Sequence, residues 1–495
     1  MASSLPGYVA SAQPVPQGAR TAWYKNTAQT YAGIMLWFVF WNQVPLGGGL
    51  AGADGWSGFA GGTLAQGLGV AFLGLILAAL LCHFLFYVVP GMLGMKTGLP
   101  LYIVGTSTYG VQGGFLMPGF LMGVLQFGWL AVNAFFAGSL LCMPFKETLG
   151  SQLPVAQGVV AAVWVAAGAF MGLKGIKYVA RVATFLPLIP MAVLIILFVA
   201  TIGGLGSFDS AALVKAGTQF TPEKGAPIQA AGALSSFAVI ALICTYVVGF
   251  FATAGAAGTD FGMNNRNGKD VQLGGLVGIA LATIFAGGLA LLIVAGAHGA
   301  GKAGDGAVME PTRLMNGIFG GKMIFGIKVG DACMWLLALA AFPPACFSAF
   351  IAANSFKTTL PKVNPWISVG IGAVVAIVLA VTGWAGNAIG MFTIIGASFG
   401  PVCGAMMADY LLAGRKWAGP RAGWNLAGWI SWLLGFAVGA IDFIAQIPGL
   451  EGLKGAVPCP PLAAFVVGFL LYIILAKLRL ETKVLPMEGA AKAKA

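Results

Sequence analysis

The chain has 495 residues, 59% of them hydrophobic and only 8% charged, with a net charge of +12 and a mean hydropathy of +0.91. Ordinary soluble domains carry roughly 25% charged residues, so the composition excludes a soluble globular domain and indicates an all-α integral membrane protein. The apolar runs are about twenty residues or longer, too long for the strands of an outer-membrane barrel, and the basic excess reads as residues flanking membrane helices, not as a nucleic-acid surface.

Residues 1–28 are polar and Pro-rich, with no short apolar core before a cleavage site, so they read as a cytoplasmic tail and not a secretory signal. Twelve apolar spans follow, at 30–52, 62–90, 114–143, 154–173, 178–203, 228–253, 273–299, 331–352, 366–386, 387–413, 424–443 and 457–478. With the N-terminus inside, eighteen of the 26 basic residues fall in cytoplasmic segments. That bias predicts a multi-pass protein of the cell membrane with both termini cytoplasmic.

The first span reads GIMLWFVFWNQVPLGGGLAG, and its apolar pattern breaks at Asn42-Gln43-Val44-Pro45 and again at Gly47-Gly48-Gly49. The second, LLCHFLF, carries His83, one of two histidines in the chain. The third holds Gln126, Trp129 and Asn133, spaced three and four apart and therefore on one helix face. An unpaired buried amide costs roughly 1–3 kcal/mol, so these amides either bond neighbouring helices or face a cavity and bond a solute. Trp129 between them favours a flat heteroaromatic solute, since an indole face supplies stacking area while amides read a polar edge.

The sixth span runs out through VVGFFATAGAAGTDF, with Gly249, Gly255 and Gly258. Interrupted helices at matching places in two halves point to a transport site built from five-helix inverted repeats. Close helix packing is the competing reading in a chain with 75 glycines. The eighth span contains Pro343-Pro344 and, one turn later, Ser348. Asp260 and Asp409 fall at predicted cytoplasmic helix ends, near Arg266 and Arg415, and read as anchoring or gate residues. The seven cysteines, an odd number and mostly within apolar runs, read as free thiols, and no metal-ligand spacing appears. No Ser/His/Asp set, metal constellation or phosphate loop marks an enzyme.

Several segments in order resemble the nucleobase:cation symporter family, which includes hydantoin, cytosine, uracil and allantoin permeases. They are TSTYGVQGGFLMPGFLMGVLQFGWLAVNAFFAG, GLKGIKYVARVATFLP, FATAGAAGTDFGMNNRNGKDVQLGGLVG and IIGASFGPVCGAMMADYLLAGRKW, within a resemblance covering residues 25 to 480. The resemblance implies a leucine-transporter-like fold: a ten-helix inverted-repeat core at 29–413, two further helices at 414–480, and tails at 1–28 and 481–495, the latter expected to be basic and disordered. It also implies alternating access, with Trp129 stacking on one face of the substrate and Asn133 bonding it. Counting nine residues back from Asp260-Phe261 gives Phe251 for the other face. Gln43 is the match for an amide from the broken first helix, with Asn42 beside it, and Gln126 lies one turn away.

Sodium-coupled relatives take small hydroxyls from the eighth helix where this chain has Pro343-Pro344, which offer none; only Ser348 is near. Coupling to H+ is therefore expected over Na+, with His83 as the titratable candidate. No prosthetic cofactor is expected. The partners are a small heterocyclic substrate and the lipid bilayer, without nucleic acid, and a monomer suffices. The competing readings are a vitamin-precursor or amino-acid transporter on the same fold, and a substrate-binding membrane sensor.

Overall fold

A computed structural model describes residues 5–36, 44–45, 59–218, 232–303 and 311–487. Long apolar helices dominate: α1 (Thr27–Met35), α2 (Gly67–Thr97), α3 (Leu121–Cys142), α4 (Leu153–Leu173), α5 (Ile176–Phe185) and α6 (Leu188–Thr201) in the first half. The second half continues with α7 (Ser236–Ala256), α8 (Gly258–Gly262), α9 (Gly268–Gly299), α10 (Val329–Ala338), α11 (Phe342–Thr359), α12 (Pro365–Val381), α13 (Ala388–Leu412), α14 (Leu426–Gly439) and α15 (Pro460–Lys477). Among the described residues eight apolar segments are long enough to cross a membrane; one of them, Phe115–Leu173, folds as two successive helices, and α12 and α14 are shorter apolar helices. A small hairpin, β1 (Met323–Ile324) with β2 (Ile327–Lys328), precedes α10.

Helix starts follow local chemistry. Ser235 caps α7 by accepting the Ala238 N–H at 3.3 Å, and Asn387 caps α13 by accepting that of Gly390 at 2.9 Å. Proline occupies the first turn of α12 and α15, where its missing N–H is harmless. The same rule applies to Pro343 and Pro344: they stand in the first turn of α11, just after a 3₁₀ break at Leu339–Ala341. The sixth span breaks at Ala257, between α7 and α8, and runs helically through Gly249 and Gly255. Those glycines serve close approach, since a Cβ on Gly249 would stand 2.7 Å from the Phe392 carbonyl oxygen of α13. Likewise a Cβ on Gly404 of α13 would lie 2.2 Å from the Phe465 carbonyl oxygen of α15. The first span's expected break falls mostly outside the described residues.

Neither terminal segment is a free tail. Val9 is fully buried, Arg20 donates to the Met95 carbonyl at 2.6 Å, and the Thr21 N–H donates to the Asn264 carbonyl at 2.7 Å. Residues 5–26 therefore form a strap across the ends of α2 and α8. At the other terminus, Glu481 pairs with Arg421 at 2.7 Å and Leu485 is buried, its N–H bonded to the Pro420 carbonyl at 2.7 Å. This corrects the expected disordered tail, which does not begin at 481: buried apolar side chains and a paired carboxylate hold residues 481–485 in place. All seven cysteines are free thiols, six of them buried.

Candidate functional site

The helix face read from the third span points into the protein. Trp129 and Asn133 of α3, with Gln126 one turn earlier, line a cavity of about 20 Å³ closed by α7 and α11. That is room for about one water. Helix α7 contributes Phe250, Thr253 and Ala254, spaced i, i+3, i+4 on one face; α11 contributes Pro344, Phe347 and Ser348; α1 contributes Ile34.

The polar atoms have defined roles. The Trp129 indole N–H donates to Thr253 Oγ1 at 3.1 Å, which fixes the ring. The Asn133 side-chain N–H donates to the Trp129 carbonyl at 2.7 Å. Only an amide nitrogen can donate there, so Asn133 is oriented by its own helix, and its Oδ1, fully buried, has no partner. The site thus presents a fixed hydrogen-bond acceptor. Gln126 Nε2 meets only the Met122 sulfur, at 3.4 Å. The Phe392 ring of α13 stacks on Trp129 at 5.0 Å and 30°, while Phe250 stands edge-on at 5.1 Å and 81°.

Phe251 lies elsewhere. It is fully buried, packs on Tyr31 at 5.9 Å, and does not line the cavity. One residue is about 100° of helix rotation, and this rotation gives the wall to Phe250 instead. Gln43 and Asn42 fall outside the described residues. His83 sits in a π-helical turn of α2, Cys82–Tyr87, buried against Phe84 and Tyr87, with Nδ1 unpartnered. It does not line the cavity, whereas Ser348 does. Sequence reasoning passed over Phe250, Thr253, Phe347 and Ile34. The i, i+3, i+4 set on α7 was the available signal for two of them.

An aromatic layer separates the cavity from the end of the molecule that carries the N-terminal strap. Tyr31 meets Phe261 at 4.7 Å, and Phe261 stacks on Phe347 at 5.6 Å and 23°. Beside Phe261, half-buried Asp260 accepts the Leu101 N–H at 3.3 Å. Burial pushes its carboxyl up to about 7 against that single donor. No cluster of three or more potential metal ligands exists among the described residues.

Comparison with known proteins gives a consistent result. Cytosine permease of Escherichia coli (strain K12) is 25% identical over 410 residues, covering 82% of this chain and 81% of that protein. Among solved structures, the nucleobase-cation-symport-1 transporter Mhp1, closed with bromovinylhydantoin bound, aligns over 98% of both chains with a TM-score of 0.66 at 15% identity. The inward-facing form of Mhp1 aligns over 96% of this chain and 97% of that one, with a TM-score of 0.60 at 14% identity. The fold is accordingly the leucine-transporter-like one that the family resemblance implies, and the protein is a membrane permease rather than an enzyme. A family model described as permeases for cytosine and purines, uracil, thiamine and allantoin matches residues 14–459, and the chain belongs to that family.

Proposed function

We propose that this permease carries a nucleobase or closely related planar heterocycle by alternating access, coupled to protons rather than sodium. One observation supports this reading above the others. A clamped indole, Trp129, lies beside a pre-oriented, unpartnered acceptor, Asn133 Oδ1, in a cavity otherwise walled by Phe250, Phe347 and aliphatic groups. A flat ring with N–H donors on one edge satisfies both, stacking on the indole and donating to the amide. The family, and the nucleobase and hydantoin names of the relatives, agree with that chemistry.

Phe392, stacked on Trp129, and the Tyr31–Phe261–Phe347 layer are the aromatic contacts next to the cavity wall, and they serve in this reading as its gates. In α11, Pro343 and Pro344 fill the turn where hydroxyls would serve sodium, and Ser348 is the hydroxyl of that helix at the cavity, which favours protons as the coupling ion. His83 reaches the cavity wall through a chain of ring contacts, from Tyr87 to Tyr31 at 5.4 Å and from Tyr31 to Phe347 at 6.5 Å.

A thermal-shift screen over cytosine, uracil, purines, hydantoins and thiamine precursors, followed by uptake into proteoliposomes, tests the reading. A nucleobase or hydantoin should stabilise the protein and accumulate under an inward pH gradient without sodium. Stabilisation by none of these compounds refutes the substrate class. Saturable dependence on sodium at constant ionic strength refutes the coupling and directs attention to Ser348.

A further inference from the structure

A second cavity, of about 450 Å³, opens on the outer surface of the helix bundle between α4, α5 and the α10–α11 break. Its walls are Trp164, Val182, Phe185, Leu339 and Phe342, with Arg181 as the single charged group. The surroundings are lipid-facing: Val163, Phe185 and Leu188 are exposed within apolar spans. We propose that this groove binds one anionic phospholipid, its phosphate on Arg181 and an acyl chain lying between Phe185 and Phe342 toward Trp164.

Charge and dimensions support that occupant. Residues 153–208 contain no aspartate or glutamate, and Lys174, Lys177 and Arg181 all lie at one end of the α4–α5 hairpin. Arg181 has no carboxylate partner among the described residues. A guanidinium at the headgroup level with no internal anion is suited to bidentate capture of a phosphate. Trp164 lies at the middle of α4 and Arg181 nearer the basic end of the hairpin, so the groove runs from the charged end into the apolar part of the bundle, as an acyl chain does. Trp164 offers its indole ring as an apolar wall to that chain and, as the groove's one tryptophan, a fluorescent reporter of it.

The location gives the lipid a regulatory role. The groove is bounded by two helix interruptions, Leu186-Pro187 between α5 and α6 and the 3₁₀ turn Leu339–Ala341 before α11. On its other side, α11 presents Pro344, Phe347 and Ser348 to the central cavity. A chain held in the groove props the back of that wall.

The test uses the full-length protein and does not depend on transport. Native mass spectrometry should show retained phosphatidylglycerol in preference to phosphatidylcholine, and Arg181→Gln should reduce that preference about fivefold, the factor expected of one basic residue at an anionic surface. Phosphatidylglycerol with brominated acyl chains should quench wild-type tryptophan fluorescence more than that of Trp164→Phe. In a Leu339→Phe background, which fills the groove without adding a tryptophan, that difference should disappear. An unchanged lipid preference in Arg181→Gln refutes the headgroup assignment. Equal quenching of the wild type and Trp164→Phe refutes occupancy of the groove, even if the Leu339 variant fails to fold.

Discussion

Removing the Arg421 side chain is expected to destabilise the permease more than removing any one of its partners. Arg421 pairs with Asp409 at 2.8 Å and Glu481 at 2.7 Å, with side chains 7%, 4% and 27% exposed respectively. It also donates to the Ser107 carbonyl, while the Ser107 and Thr108 hydroxyls donate to Asp409. Breaking a buried ion pair by deleting one partner costs about 3–5 kcal/mol, because the other charge is left buried. The two hydroxyl donors soften that for Asp409, so Arg421→Met should cost about 3 kcal/mol. Glu481 is partly hydrated, and Glu481→Gln should cost about 1 kcal/mol or less. An unfolding entropy of about 2.1 cal/mol/K per residue amounts to about 1 kcal/mol/K over this chain, so the Arg421 variant should melt about 3 °C lower. Removing both charges, as Arg421→Met with Asp409→Asn, should restore part of the loss. Tryptophan-fluorescence melting in detergent measures all of these. A double variant that melts below Arg421→Met would refute the uncompensated-charge account.

Three other outcomes follow from the site. Phe250→Ala should weaken ligand binding about tenfold, as expected for one lost aromatic contact, while Phe251→Ala should lower the melting temperature with little effect on affinity; titration calorimetry of both variants separates wall from core. Asn133→Ala should cost about 1–3 kcal/mol for a base donating an N–H at that edge and little for an analogue lacking the donor, and equal losses would make Asn133 a packing residue. Asp260, with a carboxyl raised to about 7, favours the folded state when protonated, so its contribution is complete below about pH 4 and is lost as pH rises through about 7. Asp260→Asn should flatten the melting temperature across that window.

The features that proved legible share one property: they are set by spacing along a single helix. Gln126, Trp129 and Asn133 reach the cavity together because a three-and-four spacing is a local fact that packing cannot rearrange. The interruption of the sixth helix was legible as a tendency, but its position was not. Gly249 and Gly255 read as breakers, yet the chain uses them for contact with α13 and α2 and breaks at Ala257. The choice between Phe250 and Phe251 depended on how α7 is rotated, which the packing of Phe251 on Tyr31 decides from another helix. Pro343 and Pro344 read as lying inside one continuous eighth span because the 3₁₀ turn before them has no marker of its own in LLALAA. The terminal segments looked free because low hydropathy hides a single deep anchor such as Val9 or Leu485.

The bond from Asn133 to the Trp129 carbonyl has a consequence for the kinetics of recognition. A side chain that must be immobilised on association costs about 0.5–1.5 kcal/mol; here that ordering has already occurred during folding. The arriving solute meets an acceptor that has no alternative orientation to sample and cannot reverse its polarity by an amide flip, since the reversed amide would set two oxygens against each other. Under the proposed role of Asn133, discrimination would already be in force at first contact. On the proposed reading of Asn133 as the substrate's edge reader, a ring offering a lone pair at that edge would meet repulsion before any gate begins to close and would leave without setting the transport cycle in motion.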